Sequence, residues 1–370
     1  MGSTVAIVGG GYGGAALARQ LDPDFDVVLI DPRDAFVHAV AALRGLVDAD
    51  WAQRIYFGYE GLFTRGRHLR DRAVAVDAGG VTTADGTWVD ADYVVLATGS
   101  SYPYPAKPDT EDSADSQLRH AATRAELASS KRVLLLGAGP VGLELAGEIT
   151  EQWPETEVVV VDTADDVLGG RYLPELRSAL REQLTARGVR LELGSALTEP
   201  PPVPPGIREP FSVTTERGVR IEADLWFRCY GVVPLSDMLH GELTAARRPD
   251  GHVEVDEYLR VAGASNVFAV GDVTAVPEPK RSKAASEHAA VVAANIRALA
   301  AGRPPEQTYR PGADAVLVPL GSDGGASQVP GPDGPVVLGA VETARYKGDD
   351  LLLGRFAELF GARDGAESAN

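Results

Sequence analysis

Short apolar runs, each followed by a glycine-rich turn and a helical stretch, organise the first part of the chain. The β-branched run Thr4–Val8 predicts a strand that leads directly into the glycine-rich residues 9–14. A helix over residues 15–20 and a second strand over Asp26–Ile30 follow, and this strand ends at Asp31. The predicted order is therefore strand, glycine turn, helix, strand and acid.

The same order returns further along the chain. Arg132–Leu136 predicts a strand, residues 137–142 a glycine turn, and Leu143–Gln152 a helix. The strand predicted over Glu157–Val161 again ends at an acid, Asp162. This repetition indicates an internal duplication of one nucleotide-binding unit. Because short apolar strands alternate with helices, both units predict parallel sheets that are covered on both faces.

The rest of the chain carries further predicted elements. A long alanine-rich helix is predicted from about Arg281 to Ala301, and Leu351–Phe360 is a short amphipathic stretch. Residues 101–120 are rich in proline, serine and aspartate and predict a linker, and the proline-rich residues 200–210 predict an exposed loop. Further buried strands are predicted at Tyr93–Ala97, Leu225–Tyr230 and Val267–Val270.

The first glycine turn has the spacing of a dinucleotide-binding fingerprint. Gly9, Gly11 and Gly14 would allow a tight turn, close approach of the backbone to a pyrophosphate, and close packing of helix on strand. The following helix would point free N–H groups at the phosphates. Asp31 stands where a carboxylate can accept hydrogen bonds from ribose hydroxyls. These features together predict a bound dinucleotide.

The second turn repeats this spacing with Gly137, Gly139 and Gly142, and Asp162 takes the place of the ribose-binding acid. An acid here would repel the 2′-phosphate of NADPH, and residues 163–170 contain no arginine or lysine to hold one. The second unit therefore favours NADH over NADPH. Two units predict two dinucleotides, a bound flavin and a transient nicotinamide.

A third segment supports the flavin. A strand that ends in Gly271-Asp272 can place a carboxylate on a ribityl hydroxyl, and Lys280 lies just before the long helix. The N-terminus of that helix, aimed at the flavin ring, would stabilise its anionic reduced form. We expect Lys280 to contribute positive charge there.

Charge and cysteine content narrow the possible functions. The 370 residues include 35 lysines and arginines and 53 aspartates and glutamates, so the net charge is −18. Such a surface repels nucleic-acid phosphates and anionic lipids. Cys229 is the single cysteine, which excludes a cysteine redox pair and a multi-cysteine metal site. We expect no metal site, no membrane span and a cytoplasmic protein.

The quoted residues resemble those of a known superfamily. The two fingerprints, with Val95–Ser100 and Asn266–Asp272, are similar to those of FAD- and NAD(P)H-dependent pyridine-nucleotide oxidoreductases. Phe36–Arg44, Ser282–Ile296 and Tyr309–Gly312 resemble the apoptosis-inducing-factor-like branch, especially the ferroptosis-suppressor type of NAD(P)H:quinone oxidoreductase. The resemblance covers nearly the whole chain.

The resemblance implies an α/β fold with two Rossmann-like dinucleotide-binding domains, as in glutathione reductase, and a small C-terminal α+β region. We expect FAD in a discontinuous domain of residues 1–100 and 253–305, and NADH in residues 101–252. Residues 306–370 would complete the acceptor site. Hydride would pass from NADH to FAD, and two electrons would then pass to a quinone-like acceptor.

The resemblance also implies roles for individual residues. It places the acid Glu144 near the nicotinamide and Lys347 near the flavin, where Lys280 or Lys347 would offset negative charge on reduced flavin or acceptor. His38 could line the flavin. The cofactor-binding residues expected in total are Gly9, Gly11, Gly13, Gly14, Asp31, Arg44, Thr98, Gly99, Gly137, Gly139, Gly142, Asp162, Gly271 and Asp272.

The chain departs from the ferroptosis-suppressor type at both ends. Ala6 stands where a myristoylation signal has serine or threonine, and Leu351–Phe360 is short for a membrane anchor. We therefore expect no integral membrane contact and a small-molecule electron acceptor. The sequence is compatible with a monomer or an oligomer. Three alternatives stay open: a small redox protein as acceptor, a reductase or oxidase that tailors an aromatic natural product, and an NADH-sensing flavoprotein with incidental turnover.

Overall fold

The computed structural model describes residues 2–170 and 172–361, and two parallel sheets form its frame. The strands at the centre of these sheets are apolar throughout: Val5 and Ile7 in one sheet, and Leu134 and Leu135 in the other, have no exposed surface. Strands of this kind are stable only when both faces of the sheet are covered. Helices cover one face of each sheet, and apolar residues of antiparallel strands, such as Val81 and Ile221, pack on the opposite faces.

The elements of the described residues run along the chain as follows. The strands are β1 (Thr4–Val8), β2 (Asp26–Ile30), β3 (Ala35–Val37), β4 (Tyr56–Gly58), β5 (Arg67–Leu69), β6 (Ala73–Asp77), β7 (Gly80–Thr83), β8 (Trp88–Asp90), β9 (Tyr93–Leu96), β10 (Ser100–Ser101), β11 (Arg132–Leu136), β12 (Glu157–Asp162), β13 (Arg190–Leu193), β14 (Phe211–Thr214), β15 (Arg220–Ala223), β16 (Leu225–Arg228), β17 (Val233–Pro234), β18 (Val267–Ala269), β19 (Val316–Leu320), β20 (Gly324–Gly331) and β21 (Gly334–Leu338). The α-helices are α1 (Tyr12–Leu21), α2 (Ala42–Val47), α3 (Ala49–Arg54), α4 (Ser113–Ser129), α5 (Pro140–Gln152), α6 (Pro174–Ala186), α7 (Ser282–Ala300), α8 (Ala340–Thr343) and α9 (Leu353–Leu359).

The first sheet has the strand order β18-β9-β1-β2-β5, and every neighbouring pair is parallel. Apolar side chains of α1 and α7, among them Leu17 and Val292, pack in the core on one face. Because β2 and β9 lie on opposite sides of β1, a crevice opens at the carboxyl end of β1. The first glycine turn lies in that position.

The second sheet repeats this plan with the order β13-β12-β11-β16, again parallel throughout. Here β11 takes the place of β1, with β12 on one side and β16 on the other. The second glycine turn therefore follows the carboxyl end of a central strand as well.

The C-terminal region packs on both units. Its antiparallel sheet β19-β20-β21 contributes Val318 and Leu320 to the core that contains Leu143 and Ile149 of α5. Helix α9 instead joins the core of the first unit through Phe356. The segment between them, which carries Lys347, therefore lies between the two units.

The structure corrects two sequence expectations. The predicted linker over residues 101–120 was wrong in its second half, because α4 begins at Ser113. The Asp112 carboxylate caps this helix by accepting the Ala114 N–H at 3.0 Å, and Leu127 on its inner face is fully buried. Only one narrow face of this helix is buried, so most of its residues are polar and its composition resembles that of a linker. The first helix also begins at Tyr12, not at residue 15, since it starts directly after the glycine turn.

No helix formed by residues 2–170 or 172–361 combines the length and apolar character that crossing a bilayer requires.

Candidate functional site

The two glycine turns have the same geometry, glycine by glycine. Gly9 and Gly137 have φ values of 105° and 115°, which favour glycine. A Cβ atom on Gly14 would clash with the carbonyl oxygen of Gly9, and one on Gly142 with that of Gly137. The backbone itself therefore requires the first and third glycines of each turn.

The middle glycines serve a different purpose. A Cβ atom on Gly11 or Gly139 would meet nothing within 4 Å, so the space beside each turn is open. The same two residues precede α1 and α5, and as glycines they have no side chain that could accept the N–H groups of the helix N-terminus. Open space next to N–H groups without a side-chain acceptor fits a phosphate. Each turn can therefore hold the pyrophosphate of a dinucleotide.

The acids at the strand ends are fixed by their own glycine turns. Asp31 Oδ2 accepts the Gly10 N–H at 2.6 Å, and Asp162 Oδ2 accepts the Ala138 N–H at 2.6 Å. In each case the other oxygen accepts the N–H of the residue two positions on, at 2.8 Å. A carboxylate oxygen can accept a second hydrogen bond, which leaves both acids able to bind ribose hydroxyls.

A polar cluster forms between the ends of β9 and β18. Ser100 Oγ donates to Asp272 Oδ2 at 2.6 Å. Lys107 Nζ donates to the carbonyl oxygen and Oγ of Ser100 at 2.5 and 3.0 Å, and lies 3.7 Å from Asp272 Oδ2. Burial lowers the pKa of Lys107, and the charge of Asp272 opposes that shift. The carboxylate predicted to bind a ribityl hydroxyl thus has a cation beside it.

Thr98 and Gly99 connect this cluster to the second unit. The Thr98 hydroxyl donates to the carbonyl oxygen of Leu235, and the Leu235 N–H donates to the carbonyl oxygen of Gly99 at 3.0 Å. Strands β10 and β17 pair directly beside these contacts. Gly271, at the other end of the cluster, donates its N–H to His288 Nδ1 at 3.0 Å. The ends of both sheets are therefore held together here.

Glu144 and Lys347 form a mostly buried ion pair. Lys347 Nζ lies 2.8 Å from Glu144 Oε1 and also donates to the carbonyl oxygen of Leu317 at 3.3 Å, and the two side chains are 13% and 12% exposed. Burial raises the pKa of Glu144, and the charge of Lys347 opposes that shift. The structure thus brings together two residues that the sequence places far apart.

Arg44 lies beside this pair and not against a glycine turn. Its guanidinium donates to both carboxylate oxygens of Glu148 at 2.9–3.2 Å and to the carbonyl oxygen of Gly348 at 2.5 Å. The ring of Trp51 lies 5.3 Å away. The side-chain contacts of Arg44 within the described chain are therefore with α5, the C-terminal region and Trp51 of α3.

Lys280 is placed apart from the Glu144–Lys347 pair. Its Nζ donates to the carbonyl oxygens of Thr274 and Val276 at 2.7 and 2.8 Å. Burial lowers the pKa of Lys280, while Glu278 and Asp272 act in the opposite direction. Lys280 therefore belongs to the Asp272 side of the site.

His38 is fully buried and anchors the C-terminal region. Its Nε2 lies 2.7 Å from the carbonyl oxygen of Leu351, and its Nδ1 lies 3.2 Å from the Tyr12 hydroxyl. The Tyr12 oxygen accepts the Val40 N–H at 3.0 Å, so the tyrosine proton is free to point at Nδ1. Burial lowers the pKa of His38 to about 4. A neutral imidazole thus links the first glycine turn to the segment after Lys347.

Cys229 is buried directly after β16, where burial raises the pKa of its thiol to about 12. A thiol of this kind is inert at neutral pH.

Sequence reasoning missed three residues of this region. Lys107 lay in the stretch interpreted as a linker. Glu148 stands one helical turn after Glu144, and that spacing could have revealed it. Arg33 has a buried Nε with no hydrogen-bond partner in the described part of the chain, although it follows Asp31 closely. An unsatisfied donor beside Asp31, the acid predicted to bind a ribose, fits a bound dinucleotide.

The comparisons agree with this geometry. A family described as pyridine nucleotide-disulphide oxidoreductase matches residues 3–291. Ferroptosis suppressor protein 1 from Taeniopygia guttata is 32% identical over 333 residues, which cover 88% of each chain. Apoptosis-inducing factor homolog B from Dictyostelium discoideum is 27% identical over 371 residues, which cover 95% of each chain.

The fold is also found among solved structures. The sulfide:quinone oxidoreductase from Aquifex aeolicus has a TM-score of 0.76 at 17% identity, covering 99% of this chain and 93% of that one. This likeness shows the fold alone, and it confirms the predicted Rossmann-like α/β class. The family match and the curated relatives confirm the resemblance drawn from the motifs. The chain belongs to the pyridine nucleotide-disulphide oxidoreductase family, as an FAD-dependent NAD(P)H oxidoreductase.

Proposed function

We propose that the chain oxidises NADH through FAD and delivers two electrons to a quinone-like acceptor. The observation that carries this proposal is the ion pair of Glu144 and Lys347. Glu144 belongs to α5, which begins at the second glycine turn, and Lys347 belongs to the segment whose Leu351 carbonyl contacts His38 beside Tyr12 of the first turn. The pair therefore lies between the elements that carry the two glycine turns, where this proposal puts the two nucleotides.

The residues present fit both cofactors. In this proposal FAD occupies the domain of residues 1–100 and 253–305, NADH that of residues 101–252, and residues 306–370 complete the acceptor site. Bound FAD would accept hydride and return electrons in pairs. The protein then contributes to catalysis by orienting the nicotinamide against the flavin.

Each group of the chain has a proposed task. The two glycine turns hold the pyrophosphates, Asp31 and Asp162 hold the riboses, and Asp272 holds a ribityl hydroxyl. Glu144 positions the nicotinamide. Lys347 offsets negative charge on the reduced cofactor or on the acceptor, and Lys280 adds positive charge on the Asp272 side.

A quinone-like acceptor suits the surface around Lys347. Tyr346 directly before it is 58% exposed, and Val341 in the preceding helix is 78% exposed. Exposed apolar side chains on the same segment as a buried cation suit a flat apolar molecule with carbonyl oxygens. The net charge of −18 disfavours small redox proteins, which are themselves usually acidic. The acceptor also follows the resemblance to ferroptosis-suppressor-type quinone oxidoreductases.

The preference for NADH rests on the Asp162 carboxylate, which is fixed at the end of β12 and would face a 2′-phosphate. We place the reaction in the cytoplasm as part of the same proposal.

The test is a pair of anaerobic half-reactions. Purified holoprotein is mixed with NADH or NADPH while the flavin absorbance is followed, and a water-soluble quinone is then added. We expect fast bleaching with NADH, slower bleaching with NADPH, and fast return of the colour with quinone. Bleaching without return would exclude quinone and favour the sensing or tailoring alternatives. A protein that binds no flavin would contradict the whole proposal.

A further inference from the structure

Arg44 joins three separate elements at one buried point. It projects from α2, is 6% exposed, and holds the carboxylate of Glu148 on α5 with its Nε and Nη2 atoms. Its Nη1 donates to the carbonyl oxygen of Gly348 at 2.5 Å. A planar guanidinium can make such a forked contact and a third hydrogen bond at once, which an ammonium group cannot do in the same plane.

The backbone that Arg44 holds is the one that presents Lys347. Residues Ala344–Gly348 form a single π turn, in which the Asp349 N–H donates to the carbonyl oxygen of Ala344 at 2.9 Å. Turns of this type are rare and are frequently found at functional sites. On its other side the turn is close-packed, since a Cβ on Gly348 would lie 2.8 Å from the carbonyl oxygen of Ser322.

The two carboxylates that receive these cations are one helical turn apart. Glu144 and Glu148 lie on the same face of α5, Lys347 pairs with the first, and Arg44 pairs with the second. Two buried carboxylates so close together oppose each other's ionisation unless cations compensate them. The positive charge of Arg44 also lowers the pKa of Glu144 against the upward effect of burial.

We propose that Arg44 is a positioning residue for hydride transfer: by holding the Gly348 carbonyl and the Glu148 carboxylate together, it fixes the π turn so that Lys347 meets Glu144 before NADH arrives. Arg44 touches neither of the reacting partners in this scheme and acts through Lys347. The inference rests on the proposed NADH oxidation.

The first experiment measures the turn itself. Hydrogen–deuterium exchange is followed on peptides that cover residues 340–350 in the holoprotein and in the Arg44→Met variant. We expect exchange over residues 344–349 to rise about tenfold, because the turn opens locally without its anchor. The control is Arg54→Met, since Arg54 also stacks on Trp51, at 4.7 Å, but makes no ion pair among the described residues. Equal exchange in both variants and the wild type would overturn the proposal.

The second experiment asks whether Arg44 acts through Lys347. The rate of flavin reduction by NADH is measured in Arg44→Met, Lys347→Met and the double variant. We expect Arg44→Met to slow reduction by about tenfold alone and by less than about twofold when Lys347 is already absent. The same slowing in both backgrounds would assign Arg44 a separate role and overturn the proposal.

Removal of Arg44 alone leaves Glu148 buried without a cation, which is costly. If Arg44→Met does not fold, Arg44→Met/Glu148→Gln takes its place, because it removes both charges. Hydrogen–deuterium exchange and flavin reduction are then measured on the double variant. If NADH does not reduce the wild type, the proposed function fails. The exchange measurement still decides whether Arg44 holds the turn.

Discussion

Lys347 Nζ lies 2.8 Å from Glu144 Oε1, although 203 positions separate the two residues in the chain. Each side chain is largely withdrawn from water, so neither charge has strong solvation of its own. The pair therefore links the C-terminal region to α5 by a contact whose two halves depend on each other.

This dependence predicts unequal effects of single and double substitution. Lys347→Met should slow flavin reduction by NADH by about 10²-fold, because the nicotinamide partner is mispositioned. It should also cost roughly 3–5 kcal/mol of stability, because Glu144 is left as an uncompensated buried charge. Lys347→Met/Glu144→Gln should recover most of the stability and none of the rate. Glu155→Gln, an exposed position after α5, is the control. Additive losses of stability in the double variant would contradict the buried pair.

The glycine turns predict two opposite outcomes from the same alanine substitution. Gly139→Ala should fold normally, since its Cβ would enter open space, but should raise the KM for NADH about tenfold or more by crowding the pyrophosphate. Gly142→Ala should lower the melting temperature, because its Cβ would meet the carbonyl oxygen of Gly137. Melting curves and NADH titrations of both variants decide this. A loss of stability in Gly139→Ala would show that the open space is not a ligand cradle.

Lys107 should matter for FAD retention. Lys107→Met leaves Asp272 without its neighbouring cation and should raise the dissociation constant for FAD about tenfold. Titration of apoprotein with FAD, followed by flavin fluorescence, measures this directly. Lys131→Met is the matched control, because Lys131 is exposed at the start of the second unit. The same weakening in both variants would point to net charge and not to the Asp272 cluster.

Asp162 should set the nucleotide preference. Asp162→Asn keeps the shape of the side chain and removes the charge, so the ratio of KM for NADPH to KM for NADH should fall about tenfold. Asp165→Asn is the comparison, because that carboxylate is 93% exposed. Steady-state kinetics with both nucleotides supply the ratio. An unchanged ratio in Asp162→Asn would remove the basis for NADH preference.

His120 should make the fold sensitive to acid. It is fully buried on α4, with no hydrogen-bond partner for either ring nitrogen among the described residues, and burial lowers its pKa to about 4 from an ordinary 6.5. As the pH falls, His120 is protonated in the unfolded chain before it is protonated in the folded protein. The free energy of unfolding therefore decreases as the pH falls from about 6.5 towards 4. This proton uptake should lower the free energy of unfolding by about 2 kcal/mol between pH 7 and pH 5.

Replacing this imidazole should reduce the acid sensitivity. His120→Leu should lose less melting temperature between pH 7 and pH 5 than the wild type, while His240→Leu, at an exposed position, should behave as the wild type does. Identical acid shifts in all three proteins would contradict the assignment to His120.

The frame of the molecule could be predicted because its signals are local. Strand, glycine turn, helix, second strand and acid follow one another within each unit, and the structure has the acids and glycines in equivalent positions. The contacts of the site are different in kind. Arg44 reaches Gly348 across 304 positions, and no local pattern encodes that distance. Lys107 was missed for a related reason, since its role depends on contacts with Ser100 and Asp272, which follow two different strands of the sheet.

His38 contacts Leu351 across 313 positions, and Lys347 contacts Glu144 across 203 positions. Residues of the C-terminal region therefore complete contacts that begin in the first two units. Translation proceeds from the N-terminus and folds early domains first. A nascent chain can thus complete both glycine turns and still lack the cation and the carbonyl that close the site. If the proposed site is correct, we expect cofactor binding to precede catalytic competence during synthesis, because residues 347–351 leave the ribosome after both glycine turns.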